Sequence, residues 1–245
     1  MPRFFVDREN ISEGELIIQG QDAFHIARSL RMAVGDELTV CDGLGMDYDC
    51  TLTRIRDEEC VCAIHSTRTS HTEPNYTVTL YMAYPKGDKL ETIIQKAVEL
   101  GAVEIVPFES SFCVKKPKEE KQQKQSERLN KSALEAAKQC GRGRLPRVEL
   151  PLSFNGMLGE IASHDKVLFC YEGTGEEDSL KKVLKNVGKF DSLGVIVGSE
   201  GGFSADEAKK IIEKGAIPVN LGSRILRCET APSYVLACVS YEFEL

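Results

Sequence analysis

The stretch V-I-V-G-S-E-G-G-F-S-A-D-E, beginning at Val195, restricts what this chain can build more than any other. Val195 to Val197 is short, apolar and β-branched, as in a strand buried within a parallel sheet. Gly198 breaks it, and Gly201 and Gly202 open backbone conformations closed to residues with a Cβ. Ser204 and Glu207 stand three apart ahead of an apolar-periodic segment, the spacing of a capping box. Strand, glycine turn and helix N-terminus together form a ligand platform at the carboxyl end of a sheet.

The platform lacks both the G-x-G-x-x-G dinucleotide fingerprint and the G-x-x-x-x-G-K-[ST] phosphate loop. Glu200 lies inside the turn and would repel a phosphate, so the turn suits ribose hydroxyls or a cationic group better. The segment P-V-N-L-G-S-R-I-L-R-C-E-T-A repeats the logic. A strand ends near Leu221, Gly222 follows, and a loop carries Arg224 and Arg227. A helix then opens at Thr230 with Pro232 in its first turn. Two such loops could close over one nucleoside; taken singly, each is equally an ordinary βα turn.

The pair of motifs resembles the cofactor loops of the SPOUT methyltransferases, and more narrowly the 16S rRNA (uracil-N3)-methyltransferases, the RsmE family. That family usually has proline where this chain has Ser199 and Ser223, and threonine at Cys228. The likeness extends to L-R-M-A-V-G-D-E-L at 30–38, K-G-D-K-L-E-T-I-I-Q-K-A-V-E-L-G-A at 86–102 and E-A-A-K-Q-C-G-R at 135–142. It implies an α/β fold: a SPOUT-type parallel sheet with a C-terminal trefoil knot, preceded by a small PUA-like or OB-like β-barrel that contacts RNA. The expected domains are 1–70 for the barrel and 76–245 for the methyltransferase.

Composition bounds the reading without deciding it. At 245 residues, 42% hydrophobic and 28% charged, the chain belongs with soluble globular proteins. It begins without an apolar leader, and no run reaches a membrane span, so a cytoplasmic protein without a membrane partner is expected. Nine scattered cysteines read as reduced thiols. Cys60-x-Cys62 near His65 and His71 falls short of a four-ligand zinc site, so buried strand cysteines and no metal are expected. The net charge is −7, yet residues 115–147 hold eleven Lys and Arg against four Glu. Such a basic segment suits either an RNA-docking surface or a solvated helix face.

Along the chain, short runs at 4–6, 15–18, 37–42, 48–55 and 59–64 predict strands of a small barrel. One helix over 22–32 is predicted to turn Phe24, Ile26, Ala27 and Leu30 to one side. Residues 67–75 read as a linker. Strands near 78–83, 104–108, 148–150, 166–171, 195–197 and 218–221 then alternate with helices near 90–100, 129–140, 155–163, 178–187 and 205–214, the pattern of a parallel α/β sheet.

The resemblance implies S-adenosyl-L-methionine as cofactor, held by Tyr171, Val197, Gly198, Glu200, Gly201, Gly202, Leu221, Gly222, Ile225, Leu226, Arg227, Thr230 and Ala231. Uracil N3 must lose a proton around the time of methylation, which calls for a base or for cations near the developing anion. Arg227 and Arg224 would supply positive charge, and Glu229 would orient an arginine or accept the proton. Without the family, such an arginine pair beside a glutamate is more often a surface or interface ion pair. Arg3, Arg31 and Arg142 are candidate RNA contacts, with 16S rRNA or the 30S subunit as substrate; Arg28 fits a plain surface charge. His25, His65, His71 and His164 form no triad-like group. Ribose 2′-O-methylation, or RNA binding without catalysis, are the alternatives. A homodimer is also implied, paired through the 231–242 helix and the 89–101 region. Val235, Leu236, Val239 and Phe243 are its apolar candidates, unless that helix simply packs on its own sheet.

Overall fold

In the computed structural model the described residues are 3–114, 119–173 and 175–245. They fall into two compact units. The first runs to Glu73 and takes in Ala137–Leu145; the second comprises Pro74–Ala136 and Pro146–Leu245.

The first unit is a curled five-stranded mixed sheet. Its strands are β1 (Arg3–Phe5), β2 (Glu15–Gln19), β3 (Glu37–Cys41), β4 (Met46–Ile55) and β5 (Glu59–Thr69), in the order β1-β3-β4-β5-β2. Only β1 and β3 pair in parallel. The concave face buries Phe4, Leu16, Ile18, Leu38, Val40 and Leu52, together with Cys50, Cys60 and Cys62. Cys60 and Cys62 therefore sit in the core, as strand alternation predicts, and burial pushes the Cys62 thiol up to about 12. No metal-holding group of His, Cys, Asp or Glu occurs among the described residues.

The predicted 22–32 helix differs from expectation. Helix α1 (Gly20–Phe24) passes into a π-helical turn over His25–Ser29, in which the Leu30 amide donates to the His25 carbonyl at 2.9 Å. The wider turn shifts the helical phase. Ala23 and Ile26 face the core, while Phe24 and Leu30 point outward. Arg31 then takes a φ of 52°, uncommon for a residue with a side chain.

Residues 137–145, read from sequence as part of the second domain, group with the first. Lys138 pairs with Asp22 at 2.7 Å, and the Arg142 guanidinium grips Glu73. The Glu73 carboxylate also accepts from the backbone amides of Gly143 and Arg144. The expected linker shortens correspondingly, since β5 extends to Thr69.

The second unit holds a six-stranded sheet whose strands all pair in parallel. They are β6 (Thr77–Ala83), β7 (Ala102–Phe108), β8 (Arg147–Val148), β9 (Lys166–Cys170), β10 (Ser192–Val197) and β11 (Ile217–Val219), ordered β11-β9-β10-β6-β7-β8. The helices are α2 (Lys89–Glu99), α3 (Glu119–Cys140), α4 (Phe154–Glu160), α5 (Leu180–Asn186), α6 (Ala205–Glu213) and α7 (Thr230–Phe243). Helix α2 buries Leu90, Ile93, Ile94, Ala97 and Val98, the stripe its periodicity predicts. Each large side chain of that stripe contributes about 1.5–3 kcal/mol by leaving water. Gly101, at φ 94°, turns the chain into β7.

From β6 the chain proceeds outward through β7 and β8, and later returns to place β10 on the other side of β6. Strand order thus reverses at β6 and β10, and in open parallel sheets the crevice at such a reversal, beyond the carboxyl ends, is where ligands bind. The residues following Ala83 and Val197 lie there.

Candidate active site

The first loop follows β10. Val195, Ile196 and Val197 pair with Leu80, Tyr81 and Met82 of β6, and all three are almost fully buried. Phe203 folds back behind the turn, edge-on to Phe169 at 5.0 Å and stacked near Phe108 at 6.2 Å. A Cβ on Gly198 would lie 2.9 Å from the Phe203 ring, so only glycine lets the chain leave the strand here. The Gly202 amide donates to the Ser199 carbonyl at 3.0 Å, and Gly202 takes a φ of 64°. Helix α6 then starts at the predicted capping box of Ser204 and Glu207. Glu207 also accepts from the Ser111 amide at 2.7 Å, tying the segment after β7 to the same platform. Ser199, where the family has proline, is buried, and its hydroxyl has no hydrogen-bond partner among the described residues.

The second loop follows β11. Asn220 opens it by accepting the Gly222 amide at 2.7 Å, and Gly222 takes a φ of 112°. The Arg227 carbonyl accepts the amides of Thr230 and Ala231, which begins α7. Arg224 and Arg227 are exposed and make no ion pair among the described residues. Ile225 is 82% exposed, an apolar side chain presented to solvent at the edge of the site. Leu221 and Leu226 are half-buried, Thr230 is exposed and Ala231 is buried. At the end of β9, Tyr171 stacks on Phe169 with centroids 5.2 Å apart.

The two loops meet at a residue that sequence reasoning missed. The Lys89 ammonium lies 2.9 Å from Glu200 and 3.2 Å from Glu229, and 3.8 Å from the Cys228 sulfur. Glu200 also accepts the Lys86 amide. The two carboxylates hold the lysine well above its ordinary pKa. Burial works against the Glu200 carboxylate, but Lys89 and the backbone amides outweigh it and keep its pKa low. Glu229 is likewise held low, first by its own backbone amide and then, against burial, by the Cys228 thiol and Lys89. The Cys228 thiol is pushed up to about 12 by burial and by Glu229. Among the described residues Glu229 pairs with Lys89 and with no arginine, and of the two roles the sequence offers it, accepting the proton is disfavoured by the lowered pKa. The available signal was the lysine in the first turn of α2, a place that favours anions.

The sequence-predicted RNA contacts separate. Arg31 is exposed, carried on the left-handed turn after the π-helical segment. Arg3 is committed elsewhere: its guanidinium is 2.5 Å from the fully buried Asp47 and donates to the Arg142 carbonyl and Ser70. Arg142 is only 4% exposed, closed by Glu73 at 2.8 Å. Both are internal ties of the first unit, because a buried carboxylate must be paired and a guanidinium supplies the fork to pair it. Arg28 pairs on the surface with Asp57. In the basic segment, 115–118 lie outside the described residues. His164 hydrogen-bonds Tyr81 at 2.8 Å, at the amino end of β9 and so off the carboxyl edge that carries the loops; burial lowers its pKa.

The loops fit an adenosyl ligand on their own terms. Glycines of the first loop stand where a Cβ would crowd Phe203 or Phe112, the exposed Ile225 and half-buried Leu221 and Leu226 belong to the second, and a carboxylate lies between them. The family signature of an RNA methyltransferase domain spans residues 72–240, and that of an RNA methyltransferase PUA domain spans 18–64. The ribosomal RNA small subunit methyltransferase E of Bacillus subtilis is 35% identical, over 100% of this chain and 98% of its own. This chain belongs to the RsmE family. A Synechocystis RsmE is 31% identical over 97% of the chain and 77% of its own length. The crystal structure of the RsmE from Neisseria gonorrhoeae bound to S-adenosyl methionine superimposes with a TM-score of 0.86 at 27% identity, covering 98% of this chain and 97% of that one. A Legionella pneumophila methyltransferase with bound cofactor gives 0.81 at 26% identity, covering 98% and 96%. RsmE proteins thus share both the N-terminal unit and the looped parallel sheet seen here.

Proposed function

We propose that this RsmE protein transfers a methyl group from S-adenosyl-L-methionine to N3 of a uridine in 16S rRNA of the small ribosomal subunit. The observation that carries the reading is the convergence of two glycine loops on the carboxyl edge of a parallel sheet, in a chain belonging to this family. The cofactor supplies an electrophilic methyl on a sulfonium. Gly198, Gly201 and Gly202 admit close approach of the first loop, and Tyr171, Val197, Leu221, Gly222, Ile225, Leu226, Thr230 and Ala231 form the apolar and backbone surface for the adenosine. The work of the protein is to hold donor and acceptor in near-attack geometry. Arg224 and Arg227, exposed and in no ion pair among the described residues, would stabilise the uracil anion as the N3 proton passes to solvent, the S–CH3 bond breaking to leave the cofactor as a neutral thioether. Arg31 contacts the RNA. The C-terminal strands and α7 thread a trefoil knot, and two chains pair through α7 so that each completes the other's site. Among the described residues no helix is long and apolar enough to cross a membrane, and we place the protein with assembling ribosomes in the cytoplasm.

Two measurements test the reading. Calorimetry should detect S-adenosylmethionine binding; none at high micromolar ligand would overturn the enzyme assignment. Mass spectrometry of rRNA nucleosides from cells lacking the chain should show loss of 3-methyluridine. Full retention, with loss of a 2′-O-methylated nucleoside instead, would move the assignment to ribose methylation.

A further inference from the structure

The Lys89 node has a geometry that neither loop explains by itself. Helix α2 opens with a lysine, although the exposed amides of a helix N-terminus favour negative charge. Asp88 is the residue placed to cap those amides, and its side chain makes no capping hydrogen bond. Carboxylates from two distant parts of the chain come to the same place. Glu200 belongs to the loop after β10 and Glu229 to the loop after β11, and both lie within 3.2 Å of one ammonium. Glu200 accepts the Lys86 amide as well, so the stretch from Lys86 into the first residue of α2 is fastened to the first loop at two points. Lys89 is 36% exposed and its partners are 27% and 25% exposed. The node is therefore open enough for a ligand to reach.

We infer that Lys89 is a positioning residue, tying the two glycine loops at a single point so that the cofactor meets a preformed crevice. A lone lysine–glutamate pair at this exposure would hold little. Here one cation serves two anions, and without it two like charges face each other across the crevice, which drives the loops apart. The carboxylates act through the lysine, so their loss and its loss should couple strongly. Arginine, also a cation, can bridge two carboxylates and should substitute in part. This inference rests on the loops being the cofactor site, and one of its two tests does not.

The first test is hydrogen exchange of the unliganded full-length protein. In Lys89→Met, amides of 198–202 and 222–229 should exchange at least about tenfold faster, with β6 and β10 unchanged. Lys89→Arg should return most of the protection. Equal exchange in both loops would overturn the inference whatever the ligand is. The second test is S-adenosylmethionine affinity. Lys89→Met should raise Kd about tenfold or more with the thermal midpoint nearly unchanged, and Lys89→Arg should recover most of it. Adding Glu229→Gln to Lys89→Met should cost little further. An unchanged Kd in Lys89→Met, or fully additive losses in the double variant, would overturn the inference. Failure of the wild-type protein to bind would overturn the proposed function and leave the exchange result to decide on Lys89.

Discussion

Ser204 and Glu207 cap each other: the serine hydroxyl accepts the Glu207 amide at 3.2 Å, and the glutamate carboxylate accepts the Ser204 amide at 2.9 Å. The same carboxylate, almost fully buried, also accepts the Ser111 amide. One side chain therefore closes the helix end, fixes the exit of the glycine turn and anchors the segment after β7. Ser204→Ala should cost about 1 kcal/mol by loss of the cap. Glu207→Ala should cost more, about 1–3 kcal/mol, because it leaves buried amides unsatisfied. Urea denaturation of the two variants checks the order.

That glutamate also makes stability depend on pH. Burial pushes its pKa up, but the bonds from Ser204 and Ser111 outweigh burial and hold it below the ordinary value. A depressed folded pKa means that its contribution is complete above the unfolded value, about 4.3, and is lost as pH falls through the folded one. The stability difference between wild type and Glu207→Gln should be constant near neutrality and shrink below that range. A difference that instead grows on acidification would contradict the assignment.

The Glu73–Arg142 pair should be the most sensitive ionic contact of the first unit. Its side chains are 7% and 4% exposed. Removing one partner leaves the other charged and buried, at about 3–5 kcal/mol. Glu73→Ala and Arg142→Met should each lower the denaturation midpoint strongly, and the double variant should lose less than the sum. An Arg142→Met protein with unchanged stability and weakened RNA binding would restore the role expected from sequence.

Gly202→Val tests the first loop. The φ of 64° is disfavoured for a β-branched residue by about 1–2 kcal/mol, although no protein atom lies within 4 Å of the added Cβ. The fold should survive with a modest loss of stability, while S-adenosylmethionine affinity falls sharply. Calorimetry and thermal melting of the same sample separate the two effects.

Sharing of sites between subunits predicts complementation. Val235, Leu236 and Val239 are buried within the chain, so they pack on its own unit and are not free for a partner. Phe243 meets Tyr76 and Phe190 edge-on, with ring centroids 6.2 and 5.0 Å away. Exposed Tyr234 and Tyr241 are what α7 offers instead, at 42% and 73%. Mixing Arg227→Ala with Gly202→Val chains should restore activity above either alone. A fully active monomer by light scattering would exclude the arrangement.

The sequence by itself determined the elements and the platform. Strand runs, the α2 stripe, the capping box and the glycines are local signals, because the periodicity of burial and the φ demanded by a turn act over a few residues. It could also place Cys60 and Cys62 in the core by alternation alone. It misjudged α1, because a π-helical turn shifts the face without changing composition. It misread Arg3 and Arg142 because a guanidinium exposed to RNA and one buried on a carboxylate look identical until a partner is known. Asp47 is 44 residues from Arg3 and Glu73 is 69 from Arg142. Lys89 was invisible for the same reason: Glu200 is 111 residues away, and only the reversal of strand order at β6 and β10 carries the two to one crevice. Local chemistry is written along the chain; which charges meet is decided by how the sheet is wound.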